Sequence, residues 1–404
     1  MKINTFILSL TLLIAQTYSF PLDWFQKRST VSSSQVNSAA LSNTWAYFWN
    51  NGVNGWNNND QICENTTYSI PVVWNVAVAS KVIANSGNPQ NIQSVVDFLL
   101  NYRNPQGFFS ASQDKDDDVY LDDNSQVLWV FISAYQVLGN EEYLSIAQTL
   151  INNIMGQWNP TIGGVNQHLD GDYVSSIATL EAALSAVKFY SISADPNLLS
   201  FANNAINWIY GNLQDPSDQL IYDGITPSSG VVNKGKLSYT VGVLISTLAH
   251  LNQITGEASY IDQAVNIGNA ATNQNGALYN RGYWNNALEY VEFLFAGFAD
   301  LLTLGAATTE TQQAAFAAYN QEIYREGNYY YNYYQVGTSG TFVDSAFTSS
   351  IDLYNKFIAA YPGSGAYSPD ASNFCDGIIG GTPSTSLLIQ AAGAELFYQL
   401  SRVN

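Results

Sequence analysis

Cysteine, histidine and basic side chains are all scarce in this 404-residue chain, and each shortage narrows what it can do. The two cysteines, Cys63 and Cys375, allow one disulfide at most. In an oxidising compartment it would tie the start of the fold to its end, and otherwise both are free core thiols. The two histidines, His168 and His250, exclude a His-rich metal site and leave a Ser-His-Asp triad without support. Basic residues number 13 against 32 acidic ones, a net charge of −19, which argues against nucleic acid and anionic membranes as partners. A neutral partner fits better. No Gly-rich phosphate loop follows a strand pattern, so no nucleotide or other cofactor is expected.

Long apolar runs are missing too, apart from Phe6 to Ala15. With Lys2 before it and Thr17 and Ser19 after it, that run reads as a cleaved secretory signal over residues 1–19, too short to span a bilayer. The C-terminal stretch Phe397 to Asn404 lacks the hydrophobic tail of a lipid-anchor signal. The expectation is a soluble secreted monomer, extracellular or cell-wall associated. Asn65-Thr66-Thr67 is the only glycosylation sequon. Among what is plentiful are 27 Tyr and 9 Trp with few charges, a composition suited to meeting sugars with aromatic faces.

No linker interrupts the helical patterns, which begin near Ala39 after a Ser-rich lead-in over residues 20–38, so residues 39–404 read as one domain. A turn plan repeats at Ile83 to Pro89, Tyr135 to Tyr143, Phe189 to Leu198, Leu251 to Tyr260 and from Leu304. A helix ends at Gly or a small residue, a polar residue follows, and the next helix opens. Between these αα-hairpins lie long connections: 101–123, 158–174, 214–238, 273–289, 327–347 and 361–384. Tight turns thus gather at one end and long loops, rich in Gly, Tyr, Asn and Asp, at the other. Small β-hairpins are expected near Gln219 to Gly224 and Gly276 to Asn280. About six such units imply an all-α fold, an (α/α)6 barrel, with the last helix, Thr385 to Arg402, packing back on the first.

The first long loop ends in Asp122-Asp123, where Val127, Phe131, Ala134 and Leu138 announce a helix. Adjacent aspartates splay to roughly 5–7 Å, a separation that suits a retaining glycosidase, with one carboxyl attacking and the other donating a proton. Like charges that close also hold one acid protonated. The plainer reading is that Asp123 caps the helix and Asp122 is a solvated loop acid.

The segments Tyr120-Leu-Asp-Asp-Asn124, Gly139-Asn-Glu-Glu-Tyr143, Gly163-Gly-Val165, Leu220-Ile-Tyr-Asp-Gly-Ile225, Tyr239-Thr-Val-Gly242 and Ile254-Thr-Gly-Glu-Ala-Ser-Tyr260 stand in an order and spacing that resembles the family 76 glycoside hydrolases. The likeness runs from about Leu41 to about Leu400. It implies an (α/α)6-barrel endo-α-1,6-mannanase of the retaining type, with Asp122 as nucleophile, Asp123 as acid/base and α-mannan as the substrate. A barrel glycosidase of other specificity and a non-catalytic wall-glycan binder are the alternatives. The chain departs from the family pattern at Gly163-Gly-Val-Asn-Gln-His168, at Tyr173-Val-Ser-Ser176 and at Tyr239-Thr-Val-Gly242, positions that shape sugar subsites in the family.

Further candidate substrate contacts are Asp223, by resemblance and by its place in a long loop, together with Asn124, Tyr222, Tyr239 and Trp284. Asp223 also reads as a turn residue bonding its own backbone before Gly224. Trp158, Tyr173 and Tyr283 are further aromatics able to stack on a sugar, although packing accounts for any of them. The run Tyr329 to Tyr334 reads as a hairpin with outward rings. Asp114-Lys-Asp-Asp-Asp118 lacks the Gly and Glu of a calcium loop, Val119 and Ser125 standing in their places, so no metal is expected.

Overall fold

The computed structural model describes residues 32–64 and 66–403. The expected signal, the lead-in as far as residue 31, and Asn65 of the sequon lie outside those residues. The described chain forms thirteen α-helices: α1 Ser33–Phe48, α2 Val73–Asn85, α3 Pro89–Leu99, α4 Leu121–Leu138, α5 Glu141–Met155, α6 Ser176–Ser193, α7 Pro196–Asn212, α8 Ser238–Thr255, α9 Ala258–Ala271, α10 Leu288–Leu304, α11 Glu310–Tyr333, α12 Ile351–Ala360 and α13 Leu387–Ser401.

Burial sorts these helices into two layers. Along α8, Val241, Gly242, Val243, Leu244 and Ile245 are all buried, and α6 and α4 are covered nearly as fully. A helix apolar on every side belongs inside. By contrast α3 buries only Ile92, Val95, Val96, Phe98 and Leu99, a single stripe, and α5 does likewise through Tyr143, Ile146, Ala147, Leu150 and Ile154. The inner helices α2, α4, α6, α8, α10 and α13 touch one another in that order, and α13 closes on α2. Outside them lie α3, α5, α7, α9, α11 and α1, each against its own inner partner. The fold is an (α/α)6 barrel, and its sixth hairpin is made from the two ends of the chain, α1 and α13.

The tight turns follow local chemistry. After α4, Gly139 takes a left-handed conformation (φ 66°) that closes the helix, and Asn140 accepts the Glu142 amide to cap α5. Asn88 and Asp195 cap α3 and α7 in the same way. The long loops carry short antiparallel pairings. Val174–Ser175, Gly224–Thr226 and Val231–Asn233 form one small sheet, and Tyr279–Asn280 pairs with Tyr283–Trp284. Strand structure therefore lies just beyond Gln219 to Gly224, and at the far end of Gly276 to Asn280.

Three expectations need correction. The helix α1 starts at Ser33, inside the stretch read as a flexible lead-in, because Val36, Ala40 and Thr44 form a buried stripe that its serines disguise. The Tyr329 to Tyr334 run is the end of α11 rather than a hairpin; Tyr330 is fully buried and Tyr329 stacks on Tyr283 at 4.1 Å. A further helix, α12, lies between the connections 327–347 and 361–384 and stands outside the six pairs.

Inner helices cross closely at α8 and α10. A Cβ on Gly242 would sit 2.1 Å from the Phe293 carbonyl oxygen, and one on Gly297 would sit 2.3 Å from the Gly242 carbonyl oxygen. Gly242→Ala is expected to destabilise the protein by about 1–3 kcal/mol through forced separation of the two helices. Urea denaturation with an unchanged midpoint would show that this crossing tolerates a methyl group.

Candidate active site

Every inner helix begins at the long-loop end, so six helix N-termini surround one mouth. On α4 the first turn is Leu121, Asp122 and Asp123, preceded by an extended Tyr120 that provides no side-chain cap. The loop 157–174 crosses this start, with Leu121 donating its amide to Gln167 O at 2.9 Å and Tyr120 bridging to His168. Asp123 is therefore not the helix cap, and both acids are half-buried rather than solvated. Asp122 accepts the Asp123 amide at 3.1 Å and the Gln167 side-chain amide at 3.4 Å.

Burial dominates the electrostatics of the pair. It raises Asp122 to about 6, opposed by the Asp123 and Asp122 backbone amides and Gln167, and assisted by the charge of Asp223. Asp123 is raised well above the usual range, first by burial and then by Asp122 and Asp118. One turn further along α4, Gln126 donates to Glu181 of α6 at 3.2 Å. Glu181 is fully buried and is likewise pushed well up, by burial and then by Asp122.

Two of the expected contact residues meet at this mouth. Asp223 accepts hydrogen bonds from Tyr173 (2.5 Å), Asn233 (2.9 Å) and Tyr239 (3.2 Å), so its carboxylate is held by side chains of the mouth and not by its own turn. The Tyr239 ring lies 5.2 Å from Tyr290, which stacks at 6.2 Å on Trp74. Trp74 and Tyr290 escaped the sequence reading. They occupy the first turns of α2 and α10, as Tyr239 does in α8, and an aromatic residue at the opening of alternate helices is the signal that would have found them.

Other candidates are placed elsewhere. Asn124 is fully buried; its side chain accepts the Phe109 amide (2.8 Å) and donates to Phe109 O (2.9 Å) and Tyr120 O (2.7 Å), pinning the preceding loop to α4. Trp284 is buried as well, stacked on Phe298 with its indole N–H on Ala271 O, so it belongs to the wall between α9 and α10. Tyr222 turns to the opposite face from Asp223, lying 5.3 Å from Lys236, which pairs with Asp215 and Asp218. Trp158 packs edge-on against Phe201 of α7, and Tyr283 lies between Tyr329 and Arg325. Cys63 and Cys375 form a disulfide. Among the described residues no group of three or more His, Cys, Asp or Glu side chains could hold a metal ion.

A barrel of helical hairpins with a carboxylate pair and aromatic rings at one mouth is a glycosidase architecture. The sequence model of glycosyl hydrolase family 76 matches residues 32–353, and the chain belongs to that family. A relative from Schizosaccharomyces pombe, the meiotically up-regulated gene 191 protein, is 26% identical over 309 residues, covering 65% of this chain and 69% of that protein. The GH76A α-1,6-mannanase of Salegentibacter sp. HEL1_6 superposes with a TM-score of 0.71 at 17% identity, over 92% of this chain and 100% of that one. An inactive variant of it, with Asn replacing two consecutive aspartates, was solved with α-1,6-mannotriose and matches at TM-score 0.70 and 16% identity over 92% of this chain and 100% of that one. Dfg5 from Chaetomium thermophilum, solved with glucosamine, matches at TM-score 0.65 and 11% identity, over 94% of this chain and 92% of that one.

The raised acids carry a cost in stability. A carboxyl whose folded pKa exceeds its unfolded value binds a proton more readily when folded, so its burden is absent at low pH and grows as pH rises through the folded pKa. Asp123→Asn is expected to melt at a higher temperature than the parent at pH 7–8 and to match it below about pH 4, the ordinary Asp range. A melting difference that is the same at both pH values would contradict the burial argument.

Proposed function

We propose that the protein is a secreted retaining glycosidase or transglycosylase acting on α-1,6-linked mannan. The observation behind this reading is the adjacent pair Asp122 and Asp123, half-buried at the barrel mouth, where burial raises both carboxyls and the charge of Asp122 raises Asp123 further. The ionised Asp122 attacks the anomeric carbon and forms a glycosyl-enzyme ester. Asp123 gives its proton to the departing glycosidic oxygen, then takes one from the water or acceptor hydroxyl that displaces Asp122. Asp223, with Tyr239 and Tyr173, orients the sugar, while Tyr290 and Trp74 offer rings for its apolar face. Loss of activity in the Salegentibacter enzyme when two consecutive aspartates become Asn supports the assignment.

A secreted location is supported by the Cys63–Cys375 disulfide and the signal-like start of the chain. Among the described residues no helix is long and apolar enough to cross a membrane. One catalytic domain over residues 39–404 is the corresponding proposal for its organisation, with α1 extending it back to Ser33.

Purified mature protein is expected to cleave linear α-1,6-mannan with retention of configuration, and Asp122→Asn and Asp123→Asn are each expected to reduce turnover at least about 1,000-fold while remaining folded. Protonation of Asp122 inactivates the nucleophile, so activity falls on the acid side near pH 6, and a basic limb follows as Asp123 loses its proton. Near-full activity in either variant, or inverted products, would overturn the assignment of roles.

A further inference from the structure

The long-loop end holds a second recess, apart from the Asp122 and Asp123 carboxyls. It encloses about 290 Å3, lined by Asn58, Asn59, Asp344, Asn373, Thr385 and Ile389. Amide, hydroxyl and carboxylate groups make up most of its wall, with one aliphatic side chain among them. No Lys, Arg or His lines it, so an anionic ligand would find no counter-charge. A ligand that presents many hydroxyl groups and no charge matches this set of donors and acceptors. The volume lies at the low end of small-molecule sites, roughly 300–1,000 Å3, which suits one sugar ring rather than a chain.

Its position relates it to the mouth. The Leu387 amide at the start of α13 donates to Asn58 O at 3.3 Å, and Asn75 in the first turn of α2 donates to the Asn58 side chain at 2.8 Å. The recess therefore opens beside the N-termini of α13 and α2, next to Trp74, and α2 packs on α4, which bears the aspartate pair. A glycan extending past Trp74 would reach it.

The outer wall is the loop 361–384, folded on itself through Phe374 and Pro383 and fastened by Cys375 to Cys63 in the segment between α1 and α2. Both half-cystines line an adjoining recess of about 320 Å3 that shares Asn59 and Thr385 with the first.

We propose that this recess is a second sugar-binding subsite, taking one neutral hexose unit of a glycan through its hydroxyl groups, with the Cys63–Cys375 disulfide holding its wall in place. The inference rests on the reading that the mouth binds glycan. Since the recess is separate from the reacting carboxyls, it acts on affinity for longer chains and not on the chemical step.

Calorimetric titration with linear α-1,6-mannan oligosaccharides, in an Asp123→Asn parent that does not consume them, separates the possibilities. Asn373→Ala and Asp344→Ala are each expected to weaken binding of mannotetraose or longer chains about 5- to 10-fold, to leave mannobiose binding unchanged, and to melt like the parent. Reduction of the disulfide is expected to produce the same selective loss. If both variants bind long and short chains as the parent does, or lose both equally, the subsite is overturned while the glycan reading stands. If the parent binds none of the oligosaccharides, the glycan reading fails and the subsite with it.

Discussion

An array of αα-hairpins presents its long loops on one side whether it is open or closed, but only a closed ring makes those loops face one another across a common opening. In this protein the closing contact is between α13 and α2, and α1 covers α13 from outside, so residues from both ends of the described chain are needed to complete the mouth. The Cys63–Cys375 bond crosses the same seam and joins residues 312 apart in sequence. A crosslink over that separation removes a large share of the freedom of the unfolded chain, on the chain-entropy account. Loss of the packing of α13 on α2 would therefore reach the aspartate pair without touching it.

Closure also has to be reconciled with polar groups along the barrel axis. Lys81 of α2 meets Glu292 of α10 at 2.8 Å, across the gap that α13 otherwise fills. Glu395 of α13 accepts from Asn85 at 2.9 Å and from Gln399 at 2.6 Å, and Asp300 is held by Ser246 and Arg402. Burying such groups is costly unless each finds its partner. The pairs that join two helices are satisfied at only one relative height, so they fix how far those inner helices project into the mouth. Burial acts on the acids of the column as it does on the catalytic candidates: Glu292 is raised to about 7 despite Lys81 beside it, and Glu181 is pushed well above its usual range beneath Asp122.

The parts of this design that were legible in the sequence are those written in short-range pattern. Gly139-Asn140 and its counterparts spell out helix end and helix cap, which is why five tight turns, and hence the barrel, follow from spacing alone. Asp122 and Asp123 were visible because a loop-to-helix boundary is marked by composition. Asn124, Trp284 and Tyr222 were misplaced for a shared reason. Each belongs to a polar or aromatic type that serves equally well in packing, and which face it shows depends on partners distant in sequence, such as Phe109 for Asn124 and Phe298 for Trp284. The start of α1 was hidden because a Ser-rich surface face outweighs a narrow stripe of Val36, Ala40 and Thr44 in any composition count.

Neighbours in sequence need not share an environment on a helix, where successive side chains point about 100° apart. Asp122 turns toward Gln167 and the field of Asp223, and backbone amides of the first turn partly stabilise its charge. Asp123 turns toward Asp118, where the effects that accompany burial raise its pKa further. The two carboxyls are thus driven up by different neighbours although one peptide bond separates them. Chemistry that needs one ionised and one protonated acid at the same pH can be served by a single dipeptide in the first turn of one helix. The rigidity of the surrounding ring, rather than a second catalytic segment, then sets the distance between them.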